Sequence, residues 1–232
     1  MELIAHRGCA EQYPENTVYA VEQASARFST IEIDVRRCRS GEIVVFHDKI
    51  LERVTDGSGS IARMEWNQLR ELEILNSGER IPLLSEALTA IPSGVHVQIE
   101  LKQTGIAADV LRQIENIGVN ARVTSFLPSA LTEVREHDPG MARGYLFGEK
   151  VGITAGIQTA LALDCDSLHP HSRQCIQTEI VDFAHENEFD VIAWGASDEM
   201  TVRELHMAGV DAATADRYMP ITQEETNPLV AD

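Results

Sequence analysis

The run Ile31-Glu32-Ile33-Asp34-Val35 constrains what this chain can fold into more than any other stretch. Aliphatic and acidic residues alternate with a period of two, so the segment reads as a strand with Glu32 and Asp34 on one face and Ile31, Ile33 and Val35 on the other. The aliphatic face must pack against something apolar. The two carboxylates repel each other, and burying them without a counter-charge costs several kcal/mol or forces one to hold a proton. A cation between them removes the conflict. Oxygen-only ligation suits one hard divalent ion, Mg2+ or Ca2+ or else Mn2+, better than zinc.

Other short apolar runs also end in reactive side chains. Leu3-Ile4-Ala5 leads into His6-Arg7-Gly8, and Ile43-Val44-Val45-Phe46 leads into His47-Asp48. In Val95–Lys102 the residues His96, Gln98, Glu100 and Lys102 share one face of a strand, placing an acid and a base together again. Pro14-Glu15-Asn16-Thr17 opens a helical segment marked by Val18, Val21, Ala24 and Phe28, with the proline just inside the helix start and Glu15 at its positive end. Further strands are expected at 122–126, 142–147, 166–169, 191–194 and 210–213. Helices are expected at 84–91, 107–117, 129–137, 156–162, 174–187 and 200–208.

Strands alternating with helices predict an α/β fold with a parallel sheet, and at this length a TIM (β/α)8 barrel. Nine candidate strands compete for its eight places, and the pattern does not say which is accessory. Residues 1–220 are expected to form a single barrel domain, followed by a polar C-terminal tail at 221–232. After the third candidate strand, 49–80 reads as a small insertion over the barrel mouth, with the flexible loop Asp56-Gly57-Ser58-Gly59-Ser60 and a short helix from Met64 to Leu75. It either shapes a substrate pocket or is a plain surface connection. Catalytic residues of such a barrel come from the C-terminal ends of its strands. His6, Glu32, Asp34, His47, Glu100, Lys102, Ser125, His169 and Trp194 all fall at or near such ends.

The formal net charge of −18 disfavours nucleic acid and anionic membranes, whose binding depends on Lys and Arg neutralising phosphates. Only Lys49, Lys102 and Lys150 are lysines, and this acidic, lysine-poor composition also fits a protein adapted to high salt. No apolar stretch approaches the roughly 20 residues of a membrane span, and no signal peptide is evident, so a soluble cytoplasmic protein is expected. Cys9, Cys38, Cys165 and Cys175 form no CxxC pair and read as reduced thiols. Oligomeric state is not legible.

The ordered set HRG at His6, PENT at Pro14, IEIDV at Ile31, VVFHD at Val44 after a glycine-containing turn, IPLLSEAL at Ile81, IELK at Ile99 and SF at Ser125 resembles the glycerophosphodiester phosphodiesterases. The resemblance covers most of the chain and weakens after Phe126. It implies a TIM barrel that uses one divalent metal to cleave glycerophosphodiesters into glycerol 3-phosphate and an alcohol. Glu32, Asp34 and Glu100 would hold the metal and His6 and His47 would be the acid–base pair. Arg7 and Lys102 would contact the phosphate, with Glu15 and Asn16 supporting the site. Trp194 is a further candidate for substrate contact. Two stretches depart from the family pattern. Trp194-Gly195-Ala196-Ser197 stands where Trp-Thr-Val-Asn is usual, and Thr214-Ala215-Asp216-Arg217 where Thr-Asp-x-Pro is usual, which bears on substrate fit rather than on the chemistry.

Phosphodiester hydrolysis needs charge neutralised on the non-bridging oxygens, a deprotonated nucleophile and a protonated leaving oxygen. The residues divide along those lines, with His6 assigned as base and His47 as acid. The nucleophile is a water or a glycerol hydroxyl of the substrate. Two rival readings are a barrel of the same type acting on lysophospholipids, and a non-catalytic barrel that binds glycerophosphodiesters.

Overall fold

A computed structural model describes residues 1–219; the expected end of the domain at 220 and the polar tail at 221–232 lie outside the described residues. Among the described residues there are nine strands: β1 (Glu2–Ala5), β2 (Thr30–Arg37), β3 (Ile43–Val45), β4 (His96–Leu101), β5 (Asn120–Ser125), β6 (Arg143–Phe147), β7 (Ser167–Pro170), β8 (Asp190–Ala196) and β9 (Ala212–Ala215). Eight of them pair in parallel in the order β1-β9-β8-β7-β6-β5-β4-β2, and Ala5 pairing with Ile31 closes the ring between β1 and β2. The fold is a TIM barrel. The ninth, accessory strand is β3, which runs antiparallel to β2 with Val45 opposite Val35.

The strand alternation sorts the barrel into two environments. Ile31, Ile33, Val35, Val97, Ile99, Leu101 and Val123 point outward into one apolar layer beneath helices α1 (Val18–Ser25), α3 (Leu84–Thr89), α4 (Ala107–Ile117) and α5 (Pro128–His137). A second layer holds Leu168, Val191, Ala193 and Ala213 against helices α6 (Ile153–Ala162), α7 (Ser172–Gln177), α8 (Ile180–Glu186) and α9 (Glu199–Met207). The alternate residues face inward. At one end of the barrel interior Ile4, Ile192 and Ala212 make a small apolar floor, while Glu32, Asp34, Gln98, Glu100 and Thr124 are polar and buried.

Several local expectations are corrected. The single helix expected at 174–187 is two, α7 and α8, because Thr178 is extended (φ −139°, ψ 171°) and its hydroxyl accepts from the Ile180 N–H, restarting the helix. The helix expected from Met64 to Leu75 is the single turn α2 (Trp66–Leu69), since Leu75 and Asn76 have positive φ and the chain returns through bridges of Thr55 with Ile74 and Glu73 with Arg80. Helix α1 begins at Val18 with Thr17 as its cap, its hydroxyl accepting from the Ala20 N–H at 3.0 Å. Pro14-Glu15-Asn16 is therefore a loop ahead of the helix. Glu15 faces arginines rather than the helix end.

The 49–80 segment has its own apolar cluster, in which Leu51, Val54, Ile61, Leu69 and Ile74 pack on Cys38, Val44 and Phe46 of the β2–β3 hairpin. No helix among the described residues is long and apolar enough to cross a membrane.

Candidate active site

Glu32 and Asp34 leave β2 on the inner face, and the parallel register sets Asp34 beside Glu100 of β4. One carboxylate oxygen from each of Glu32, Asp34 and Glu100 lies within 4.8 Å of the others, and all three side chains are buried. Glu32 Oε2 accepts the Arg7 N–H at 3.0 Å, but Oε1 is buried and has no hydrogen-bond partner. Asp34 is held on several sides. Asn16, at φ +58°, donates from Nδ2 to Asp34 Oδ2 at 2.9 Å and accepts the Asp34 N–H; Arg7 Nε lies 3.2 Å from Oδ2 and Lys102 Nζ 3.0 Å from Oδ1. Lys102 Nζ also lies 2.6 Å from Glu100 Oε1.

The electrostatics follow from this packing. Burial, with the Asp34 charge next, pushes Glu32 up to about 8 and Glu100 up to about 7. Burial acts on Asp34 too, yet Lys102 and Arg7 hold its carboxyl well below the usual range. Three converging carboxylates that resist ionising together, beside a buried oxygen with no donor, are what a bound cation would satisfy. The donor set fits one hard divalent ion.

Both histidines look onto this cluster. His6 sits in a tight turn after β1, where Gly8 (φ +75°) must lie against α1; a Cβ there would come 2.7 Å from the Ala20 Cβ. His6 Nδ1 is 2.6 Å from Asp216 Oδ1 and Nε2 is 4.0 Å from Glu32 Oε2. Burial disfavours the imidazolium, but Asp216 and Glu32 outweigh it and the His6 pKa is raised. His47 arrives differently from expectation. It does not end a barrel strand; the antiparallel return of β3 brings it back to the level of Asp34, whose carbonyl accepts the Phe46 N–H at 2.9 Å. His47 Nδ1 is 2.7 Å from Asp48 Oδ1, and burial, aided by Lys102 and Arg7 against the pull of Asp34, lowers its pKa.

These groups surround a cavity of about 350 Å3 at the C-terminal ends of the strands. His6, Arg7, Glu32, His47, Glu100 and Lys102 make its polar wall, and Phe126, Leu146 and Trp194 face them. Trp194 is fixed by its indole N–H donating to the Phe147 carbonyl at 3.0 Å and by edge contacts with Phe126 and His171. Asp34 lies below the wall, while Glu15 and Asn16 stand behind it, on Arg7 and Asp34. All ten residues singled out from sequence as ligands, acid–base groups or substrate contacts are thus brought together.

Residues 6–219 match the model of the Glycerophosphoryl diester phosphodiesterase family. The chain belongs to this family. A glycerophosphodiester phosphodiesterase of Caldanaerobacter subterraneus subsp. tengcongensis is 29% identical over 229 residues, covering 92% of this chain and 93% of the relative. The structure of an Oleispira antarctica phosphodiesterase in complex with the product sn-glycerol-3-phosphate superposes with a TM-score of 0.83 at 29% identity, covering 93% of each chain. A crystal structure from Agrobacterium tumefaciens gives a TM-score of 0.86 at 22% identity over 94% of each chain, a likeness of fold alone.

Within this phosphodiesterase barrel, two strand-end residues noted from sequence stay out of the cavity. The Ser125 hydroxyl donates to the Leu101 carbonyl and accepts the Leu127 N–H, shaping the turn after β5. His169 is fully buried with Nε2 2.9 Å from Ser167 Oγ, and burial keeps it neutral by lowering its pKa well below the usual value. Two carboxylates were missed as functional groups: Asp48, adjacent to His47, and Asp216, directly after β9. The expected strand at 210–213 ends two residues before β9 does, which hid the strand-end position of Asp216. The 49–80 segment contributes no lining residue to the cavity, but its Arg53 bonds to Asp48 and Glu15 behind the polar wall.

Proposed function

We propose that this member of the phosphodiesterase family hydrolyses glycerophosphodiesters to sn-glycerol 3-phosphate and an alcohol with the help of one divalent metal ion, His6 and His47 being its acid–base pair. The observation that carries the reading is the convergence of the buried Glu32–Asp34–Glu100 cluster, two oppositely perturbed histidines and two cations on one small cavity. The charge count supports it. Three carboxylates against Arg7 and Lys102 leave one excess negative charge, which a divalent cation converts to one excess positive charge, matching a singly charged phosphodiester. The Oleispira complex with sn-glycerol-3-phosphate, covering 93% of each chain, points to the same chemistry.

Glu32, Asp34 and Glu100 would hold the ion, which when bound would supply Lewis-acid neutralisation of charge on the phosphate oxygens. Arg7 presents the rest of its planar fork to the non-bridging oxygens, while Lys102 offers a point charge. The protein's charges favour the reverse of the acid–base order expected from sequence. His47, with its lowered pKa, takes the proton of the water or glycerol hydroxyl that attacks phosphorus; His6, with its raised pKa, gives a proton to the departing alkoxide as the P–O bond breaks, and where the glycerol hydroxyl attacks, water then opens the resulting cyclic phosphate to sn-glycerol 3-phosphate, the two histidines exchanging roles. Asp48 and Asp216 each accept from a ring Nδ1, turning Nε2 toward the cavity. A cation on the cluster would offset the Glu32 share of the His6 shift and leave the Asp216 contact, the larger of the two, to favour its imidazolium.

The test is turnover of His6→Ala and His47→Ala on glycerophosphocholine with saturating metal. Each should lose about 10²–10⁴-fold in kcat. With a nitrophenyl leaving group, which needs no acid, His6→Ala should recover most of its loss and His47→Ala little. Near-normal turnover of both variants would refute the scheme, and binding of glycerophosphocholine without metal-dependent turnover would favour the non-catalytic barrel.

A further inference from the structure

We infer that Arg53, carried on the 49–80 insertion, is a positioning residue that ties the proton-transfer side of the site to its phosphate-binding side; the inference rests on the reading of the reaction just given. Arg53 does not line the cavity, but its guanidinium uses all three of its nitrogens on two carboxylates. Nη1 and Nη2 grip Glu15 Oε2 and Oε1, each at 2.7 Å, and Nε donates to Asp48 Oδ2 at 2.5 Å. The second oxygen of Asp48 is the one 2.7 Å from His47 Nδ1. Glu15 Oε1 is shared with Arg7 Nη1 at 3.0 Å, and Arg7 Nε reaches Asp34. A continuous path therefore runs from His47 through Asp48, Arg53 and Glu15 to Arg7, with Arg53 as the link between the halves.

Half-exposed ion pairs contribute little as a rule, and the Arg53 side chain is 46% exposed. Two features set this one apart. Glu15 is 6% exposed, so its charge depends on its two arginine partners, and the contact is a bidentate fork of fixed geometry. The backbone that presents Arg53 is also fixed, because Leu51 and Val54 on either side are buried in the insertion's own cluster. Without the Arg53 fork, Asp48 loses the donor that orients it against His47, and Glu15 retains Arg7 alone and draws it away from the cavity. The insertion thus serves the reaction although none of its residues lines the cavity.

Kinetics of Arg53→Ala and Arg53→Lys on glycerophosphocholine, with saturating metal and below the thermal transition of each variant, test this. Arg53→Ala should lose about 10–100-fold in kcat/KM, the size of loss seen for groups that orient catalytic ligands, with KM raised and kcat lowered. Lysine, with one nitrogen, should recover part of KM and little of kcat, whereas added methylguanidinium should rescue Arg53→Ala in both. In an Asp48→Asn background Arg53→Ala should cost little further kcat, and in a Glu15→Gln background little further KM. Arg70→Ala, which removes an exposed pair with Glu71 on the same insertion, should leave the kinetics unchanged. A stability role alone would lower the thermal transition and leave kcat and KM within twofold of wild type, and that result, or additive losses in both backgrounds, overturns the inference. A readout that needs no turnover is the His47 Nδ1–H resonance, which Arg53→Ala should shift or broaden. If wild-type protein is inert, the proposed reaction fails, and an unmoved resonance then overturns the inference as well.

Discussion

Removing or adding the divalent ion should move protons. Burial and mutual repulsion push Glu32 up to about 8 and Glu100 up to about 7, so in metal-free protein at pH 7 the pair holds on to protons that ordinary carboxylates would have lost. Asp34, held low by Lys102 and Arg7, stays ionised and contributes nothing. Ligation requires ionised carboxylates, so binding one ion at pH 7 should release protons from Glu32 and Glu100, with His6 adding to them as the cation offsets the Glu32 charge. The release should approach zero above pH 9, where both groups have already ionised, and metal affinity should weaken as pH falls below 8. Stability has a matching sign. A carboxyl raised from 4.5 favours the folded state most below 4.5 and loses that contribution as pH rises from there through its folded value, so metal-free protein should lose stability between about pH 4.5 and 8 and level off above, while metal-loaded protein does not follow this course. Titration calorimetry of metal-free protein with Mg2+ or Mn2+ in PIPES and in Tris gives the proton count from the difference in apparent enthalpy. Binding with no proton release at pH 7 and no dependence of affinity on pH between 6 and 9 would refute the assignment of these carboxylates as a strained, cation-seeking cluster.

Asp216→Asn removes the charge that, after burial, does most to set the His6 pKa, so His6 should titrate at lower pH; an NMR titration of metal-free protein showing an unchanged or higher pKa would contradict this. Gly144→Ala should destabilise the barrel, because a Cβ there would lie 2.2 Å from His169 Nε2 and 2.6 Å from Ser167 Oγ, both fully buried. Overpacking of that kind costs about 1–3 kcal/mol, or roughly 2–12 °C in thermal midpoint for a chain of this size, and adding His169→Ala should restore part of it; an unchanged midpoint in Gly144→Ala would show that the interior has room.

The parts of the site that were legible in sequence are those where strand periodicity and chemistry coincide. Glu32 and Asp34 on one face of an otherwise aliphatic strand, and Glu100 with Lys102 on another, announce an inner polar face whichever barrel strand they occupy. Their meeting depends on register, and only the Asp34–Glu100 pairing supplies that. His47 was found, but the route to it was not. The run Ile43–Phe46 has the same aliphatic character as a barrel strand, and its antiparallel return depends on the turn at Gly41 (φ +107°) and on pairing with Val35. Asp216 was hidden by composition: Ala212-Ala213-Thr214-Ala215 lacks the β-branched density of the other strands, and its pairing with β1 and β8 makes it a strand. Arg53 carried no local signal at all, since its partners lie 38 and 5 residues away and only the folded insertion brings them together.

The central claim is tested most directly by incubating purified protein with glycerophosphocholine, with Mg2+, Ca2+ or Mn2+ and with EDTA, and assaying sn-glycerol 3-phosphate. The account predicts release that EDTA abolishes, that added metal restores, and that Glu32→Gln loses even at saturating metal. No release with any of the three ions, or release that is indifferent to EDTA, would contradict it.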